Sequence, residues 1–367
     1  MSSRKGCGAR RRCMVVPFAV VGKRAAEEDP VTVSVKDVAA LADVSVGTVS
    51  NVLNRPGKVA PATVERVQAA IEQLGFVRND AARQLRVGRS RSIGLVVLDV
   101  RNPFFTDVAR GAERRAAESD LAILLGNSDD DPGREAAYLD LFEQQRVHGV
   151  LITPVEDTAR LQRLHQRGTP AVLVDRRSDD DDFSSVSVDD DAGGYMAVRH
   201  LLETGRRRIA FVGGPPAVRQ VTDRLAGARR AVATQPDATL EVLETGALTV
   251  LEGRAAGERL RDRPPAQRPD AVFAANDLLA VGVLQALVML GSVRVPDEMA
   301  IIGYDDIDFS AATVVPLSSI RQPSELIGFR AVELLIAEVD GAGAREQVVF
   351  QPELVLREST GPRIPPR

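Results

Sequence analysis

The stretch "ADVSVGTVSNVLN", residues 42–54, carries one charge, Asp43, and none after it. Ser45 can cap a helix running from Val46 to Leu53, and Asn54-Arg55-Pro56-Gly57 would stop it. Such a helix is uncharged on much of its surface. That suits a helix laid against base edges in the major groove of duplex DNA, with positive charge on its flanks for the phosphates. Pattern alone fits an ordinary small helical bundle with a polar surface equally well.

The flanking sequence builds a frame around it. Ser34 and Asp37 make a capping box, and "VKDVAALA" puts Val35, Val38, Ala39 and Ala42 on one side of a first helix. Pro61 opens a third helix, with Val64, Val67, Ala70, Ile71 and Leu74 facing inward and Gly75 ending it. Three short helices joined by tight turns predict a helix-turn-helix over residues 31–78. Next comes "RNDAARQLRVGRSRS", residues 78–92, with five arginines and few core-forming residues. Asn79 can cap a short helix, residues 80–87, in which Leu85 is a lone large apolar side chain between Arg83 and Arg86. A leucine wedge between base pairs of a minor groove would explain it, with the arginines on the backbones; a solvated linker is the plain reading.

Charge agrees with this division. Residues 1–30 carry seven basic and three acidic side chains, residues 31–91 nine and five, and the rest 31 and 43. A basic head on an acidic body points to phosphates as the head's partner. Both cysteines, Cys7 and Cys13, lie in the first 30 residues, so the body has no disulfide framework and a reducing compartment is expected. "RRRCMVVPFAVVGKR" imitates a signal peptide, but Pro17 interrupts its apolar run and Lys23-Arg24 follows where a small-residue cleavage site belongs. Residues 1–30 are expected to be a disordered tail or the product of a start codon placed too far upstream. No apolar run approaches the roughly 20 residues of a membrane span, so a cytoplasmic, nucleoid-associated protein without membrane contact is expected.

Beyond residue 92 strand-like and helical stretches alternate. The strand-like runs are "SIGLVVLD" (92–99), "LAILLGN" (121–127), "GVLIT" (149–153), "AVLVD" (171–175), "RIAFVGG" (208–214), "DAVFAAND" (270–277) and "MAIIGYDD" (299–306). Helical stretches include 105–118, 133–145 and 277–290. The pattern predicts parallel sheets in two similar lobes, before and after residue 190, within a body spanning 92–360 and followed by a tail, 361–367. Ligand sites in such sheets lie at the carboxyl ends of strands. Those ends carry Phe104 and Phe105, Ser128, Asp175 and Arg176, Asn276, and Asp305. Aromatic faces with Asp, Asn and Arg suit the C–H faces and hydroxyls of a sugar. Asp277 reads as readily as a helix cap, and Asp179–Asp182 as a solvated loop.

"VKDVAALADVSVGTVSNVLN", "GFVRNDAARQL" and "RSIGLVV" together resemble the lactose/galactose repressor family, in order and spacing, from residue 33 to about 360. The resemblance implies an all-α helix-turn-helix head with a hinge helix (residues 79–91), then an α/β periplasmic-binding-protein-like body of two lobes. It implies a repressor of carbohydrate-utilisation genes, with operator affinity controlled by a mono- or disaccharide bound between the lobes. Candidate DNA contacts are Ser45, Val46, Gly47, Thr48, Ser50 and Asn51 in the head, and Asn79, Arg83, Leu85 and Arg86 in the hinge; the positions of Val46, Gly47 and Asn51 read bases, and that of Leu85 intercalates. Arg224 and Gln322 match ligand positions, and Asp189 joins Asp175 and Asp305 as an acceptor for a neutral polyol. A paired hinge helix implies a homodimer on double-stranded, near-palindromic operator DNA. This chain departs from the family at Gly47, which lacks a reading side chain, at Ala60, where a lost cap costs about 1 kcal/mol, and at Val64, which replaces a common arginine.

Catalysis is not expected. His148, His165 and His200 lack a clustered acid or nucleophile, no His/Cys group has metal spacing, and "GGPP" (213–216) lacks the Lys-Ser/Thr of a phosphate loop. No cofactor is expected. An exported or cytoplasmic sugar-binding protein without a regulatory role is the rival reading.

Overall fold

The computed structural model describes residues 33–76, 90–155, 158–178, 182–289 and 293–361. The expected hinge helix, with Asn79, Arg83, Leu85 and Arg86, lies outside the described residues. So do residues 1–30, Asp179–Asp181 and residues 362–367. The chain divides into two compact units, one within residues 1–80 and one within 81–367.

The first unit holds α1 (Val35–Leu41), α2 (Val46–Asn54) and α3 (Pro61–Leu74). Its core is Val38, Ala39, Ala42, Val49, Val52, Val67 and Ala70. Local chemistry sets the ends as expected. The Ser34–Asp37 capping box is present, and Ser45 Oγ accepts from the Thr48 N–H at 3.0 Å. Ala60 gives α3 no side-chain cap, and Gly75 ends α3 at φ +59°.

The second unit runs β1 (Ser92–Val97), α4 (Pro103–Ala117), β2 (Ala122–Asn127), α5 (Pro132–Gln144), β3 (Val150–Ile152), α6 (Ala159–Gln166), β4 (Ala171–Val174), β5 (Ser184–Val188), α7 (Asp190–Glu203), β6 (Arg208–Val212), α8 (Arg219–Val232), β7 (Thr239–Leu243), α9 (Val250–Arg261), β8 (Ala271–Ala274), α10 (Asp277–Leu284), β9 (Ala300–Asp305), α11 (Asp308–Ala311), β10 (Ser318–Arg321), α12 (Ser324–Val339), β11 (Gln347–Phe350) and β12 (Glu353–Val355). Two six-stranded sheets result, in the orders β11-β5-β4-β3-β1-β2 and β12-β10-β9-β8-β6-β7. All pairings are parallel except β10 with β12. Apolar clusters pack on both sheets.

Two expectations need correction. A single division near residue 190 does not separate the lobes: the chain crosses between them three times, because α12 and β11 return to the first lobe and β12 leaves it again. The return is fixed by close backbone approach. A Cβ on Gly111 of α4 would collide with the Glu325 carbonyl oxygen of α12, and one on Gly328 with the Val108 carbonyl oxygen. Five strands, β5, β7, β10, β11 and β12, were also not anticipated. β5 is "SSVSV" and β10 "SSIR", whose serines are buried rather than in turns. The helix expected over 277–290 is α10, continued by a π-helical turn, Gln285–Met289.

Candidate functional site

The carboxyl ends of the strands face each other across a cleft between the lobes. Asp175 follows β4 in the first lobe, and Asp305 ends β9 in the second. Both stand in left-handed backbone, at φ +56° and +102°, as does Asp306 at +57°. Each such residue costs about 1–3 kcal/mol and persists only where its surroundings over-determine it. Here they do. The Asp305 carboxylate accepts from Asn102 Nδ2 (3.0 Å) and Gln322 Nε2 (2.8 Å). Asp306 is clamped by Arg321 (2.8 Å) and Arg357 (2.6 Å). The Asp277 carboxylate holds the following loop, accepting from the Ile307 N–H (3.0 Å) and the Ser310 and Ser319 hydroxyls (2.7 Å each). Asp277 therefore does not cap α10; Asn276 does, its Oδ1 accepting from the Leu279 N–H at 2.9 Å. Burial, with Asp305 nearby, raises Asp277 to about 7 against its three hydrogen bonds.

Arg224 is buried at the centre. Nε donates to Asp190 (2.7 Å) and Nη1 to the Ala275 carbonyl (2.7 Å), with Asp305 at 3.9 Å. The guanidinium lies 3.7 Å from the Tyr304 ring centroid. Burial alone would lower its pKa, but Asp190, Tyr304, Asp305 and Asp175 raise it, so the cation is permanent. One turn earlier on α8, Gln220 Nε2 donates to the main-chain oxygen (2.7 Å) and carboxylate (3.0 Å) of Asp175. Burial, reinforced by Asp190 and opposed by Arg224, pushes the Asp175 carboxyl well above the usual range. Asp305 is raised too, by burial, against Arg224, Asn102 and Gln322. Asp175 Oδ1 and Gln322 Oε1 are buried acceptors to which no donor among the described residues is directed.

The fold brings most of the expected ligand residues together. Phe104, Phe105, Asp175, Arg224, Asn276 and Asp305 line one cavity of about 50 Å³. The two phenyl rings meet edge-to-face at 5.1 Å. Asp175, Arg176 and Asp189 line an adjoining cavity of about 400 Å³; Asp189 also caps α7 through the Ala192 N–H. Gln322 reaches the first cavity through Asp305. Ser128 does not line either cavity: its hydroxyl donates to the Val97 carbonyl at 3.1 Å inside the first lobe. Asn102 belongs to the strand end that sequence reasoning read with Phe104 and Phe105; Asp190 and Gln220 it did not single out. Gln220 was accessible in principle, since positions 220 and 224 share one face of a helix. Among the described residues no group of His, Cys, Asp and Glu is arranged to hold a metal ion.

On the head, α2 turns Val49 and Val52 inward and leaves Val46, Gly47 and Asn51 exposed, with Thr48 and Ser50 half-buried. The fold does not require glycine at 47. Its φ is ordinary, and an added Cβ would meet nothing nearer than Ser45 Oγ at 3.5 Å. The missing side chain thus alters only the outer surface.

Comparison with known proteins agrees with this geometry. Residues 34–79 match the model for bacterial regulatory proteins of the lacI family, and residues 198–360 a periplasmic binding protein-like domain. The ribose operon repressor of Escherichia coli (strain K12) is 34% identical over 320 residues, covering 86% of this chain and 95% of that protein. The HTH-type transcriptional repressor PurR of Aliivibrio fischeri (strain MJ11) is 33% identical over 333 residues, covering 89% and 98%. Among solved structures, a transcriptional regulator CelR–cellobiose complex has a TM-score of 0.66 at 32% identity, covering 89% of this chain and 99% of that one. The lac repressor dimer bound to operator and the anti-inducer ONPF has a TM-score of 0.77 at 25% identity, with the same coverage. A helix-turn-helix head on a two-lobed body with a cleft defines a DNA-binding transcriptional regulator controlled by an effector. The chain belongs to the lacI family of bacterial regulatory proteins.

Proposed function

We propose that this protein represses carbohydrate-utilisation genes and that its effector is a neutral monosaccharide, with ribose the first candidate. The observation that carries the reading is the open buried acceptor Asp175 Oδ1 beside the Arg224 cation and the Phe104–Phe105 faces, with a second, Gln322 Oε1, behind Asp305. Buried acceptors left open cost free energy until a donor arrives, and sugar hydroxyls are donors. Ribose operon repressors among the relatives and a family member solved with bound ribose support the choice of sugar. In this reading Phe104 and Phe105 stack on the ring. Asp175, Arg224, Asn276, Asp305 and Gln322 serve its hydroxyls, Arg176 and Asp189 line the adjoining chamber, and Ser128 supports the strand end.

DNA recognition is assigned to Ser45, Val46, Gly47, Thr48, Ser50 and Asn51 in the head, and to Asn79, Arg83, Leu85 and Arg86 in the hinge. The working form is a cytoplasmic homodimer on double-stranded operator DNA, since one short head reads only a few base pairs. Among the described residues no helix is long and apolar enough to cross a membrane.

Calorimetry with pentoses, hexoses, disaccharides and purine bases tests the effector. A monosaccharide is expected to bind and to change retention on operator DNA, with the steep salt dependence of phosphate contacts. Purine binding with no sugar binding would overturn the reading. Light scattering tests the assembly: a stable monomer at micromolar concentration with operator present would refute the dimer.

A further inference from the structure

The cleft is partitioned, and one side chain lines every compartment. Gln220 borders the 50 Å³ cavity, the 400 Å³ cavity and a third of about 60 Å³ beside Pro154 and Pro215. The first two share only Gln220 and Asp175 among their lining residues. Gln220 is 7% exposed, and its amide is tied to the opposite lobe by both hydrogen bonds to Asp175. The larger cavity is hydrophilic, with Ser187, Asp189, Asp223 and Arg176 on its walls, and its volume falls within the usual range for ligand sites. The Ser187 hydroxyl is buried there without a partner among the described residues. Donors and acceptors of this kind are what a second sugar ring would need.

We propose that Gln220 sets the length of the effector: it is a wall that confines the ligand to one sugar ring and closes the larger chamber to a second. Asp175 is fixed by its place at the end of β4, so the wall between the two compartments is the Gln220 side chain. The inference rests on the sugar reading above and adds to it a limit on size.

The test is calorimetry of the full-length protein and three variants, Gln220→Ala, Gln220→Ser and Gln220→Leu. The titrants are ribose, glucose, cellobiose, maltose and sucrose. Alanine and serine remove the wall. Leucine keeps its bulk and loses the amide. Gln220→Ala and Gln220→Ser should gain affinity for a disaccharide by roughly tenfold or more, the scale on which pockets discriminate by size. Both should still bind the monosaccharide, and Gln220→Leu should stay closed to disaccharides. If alanine does not fold by circular dichroism, serine reads the same opening. Absence of any gain in a folded variant overturns the proposal. A gain in Gln220→Leu as well also overturns it, because the amide bond rather than bulk would then hold the chamber shut. Wild-type protein that binds disaccharides as tightly as monosaccharides removes the wall but leaves the sugar reading standing. Wild-type protein that binds no sugar removes both.

Discussion

Replacing Arg224 by alanine should do more than delete a ligand contact. The guanidinium is the cation between Asp190 and Asp305, and it also satisfies the Ala275 carbonyl. Its loss takes the Arg224 donor from the Asp190 carboxylate and the Ala275 carbonyl and the neighbouring cation from Asp305. Breaking a buried ion pair from one side costs about 3–5 kcal/mol. For a unit of this size that is on the order of 10 °C in Tm. The loss should also depend on pH. Asp305 and Asp175 are already raised by burial, and Arg224 opposes that rise in both. Without it their folded-state values climb further above the unfolded ones. A carboxyl raised in the folded state contributes stability at low pH and loses it as pH rises through the folded value. The variant should therefore be closest to wild type near pH 5 and furthest from it near pH 8. Thermal melting of both proteins across that range, with and without the monosaccharide, reads the effect, and the sugar should no longer raise Tm in the variant. A penalty that is negligible, or that does not change with pH, would refute the account of Arg224 as the charge that holds this cleft together.

Three further substitutions test other parts. Ser45→Ala removes the acceptor for the Thr48 N–H and should cost about 1 kcal/mol of head stability; unchanged melting of the isolated head, residues 31–78, would show the cap to be idle. Leu85→Ala should weaken specific operator binding by a few kcal/mol and reduce the bend, leaving sugar binding intact; equal affinity and bend angle in gel-shift assays would make Leu85 a linker residue. Asp277 is raised to about 7 from an ordinary value near 3.8, so its contribution is present below about pH 4 and lost as pH rises through 7. The stability difference between wild type and Asp277→Asn should fall across that window by up to about 4 kcal/mol, and parallel denaturation profiles from pH 4 to 8 would contradict it.

The sequence made the head and the apolar strands legible because period and caps are local. Val38, Val49, Val67 and Ala70 face inward where a 3.6-residue repeat puts them, and Ser45 and Gly75 mark the ends they appeared to mark. Strand ends carrying Phe104, Asp175 or Asp305 could be nominated, since parallel sheets present ligands there; Arg224, inside α8, was reached through the family resemblance. What stayed hidden depends on contacts distant in sequence. β5 and β10 look like turns because serine is usually exposed. Some of those serines meet partners 40 or more residues away, as when the Ser319 hydroxyl donates to Asp277 and that of Ser184 to Glu338. The bond from Asn102 to Asp305 spans 203 positions, and no local pattern announces it. The three crossings between lobes were hidden for the same reason. Gly111 and Gly328 take part in a close helix contact visible only once both helices are placed.

The groups that would hold a sugar are also the groups that hold the lobes together. Asn102 and Gln220 donate across the cleft to Asp305 and Asp175, the carboxylates expected to accept from hydroxyls. The space left between the phenylalanines and Arg224, about 50 Å³, is smaller than the roughly 150 Å³ that a bare six-membered ring fills. A ring held as proposed therefore needs this space to widen between the phenylalanines and Arg224. A ligand shifts an equilibrium only by its differential affinity for the two states. The net drive then comes from the acceptors that amides leave open, Asp175 Oδ1 and Gln322 Oε1, and from ring contact with Phe104 and Phe105. These are the terms that an effector of the wrong size or without hydroxyls would fail to supply.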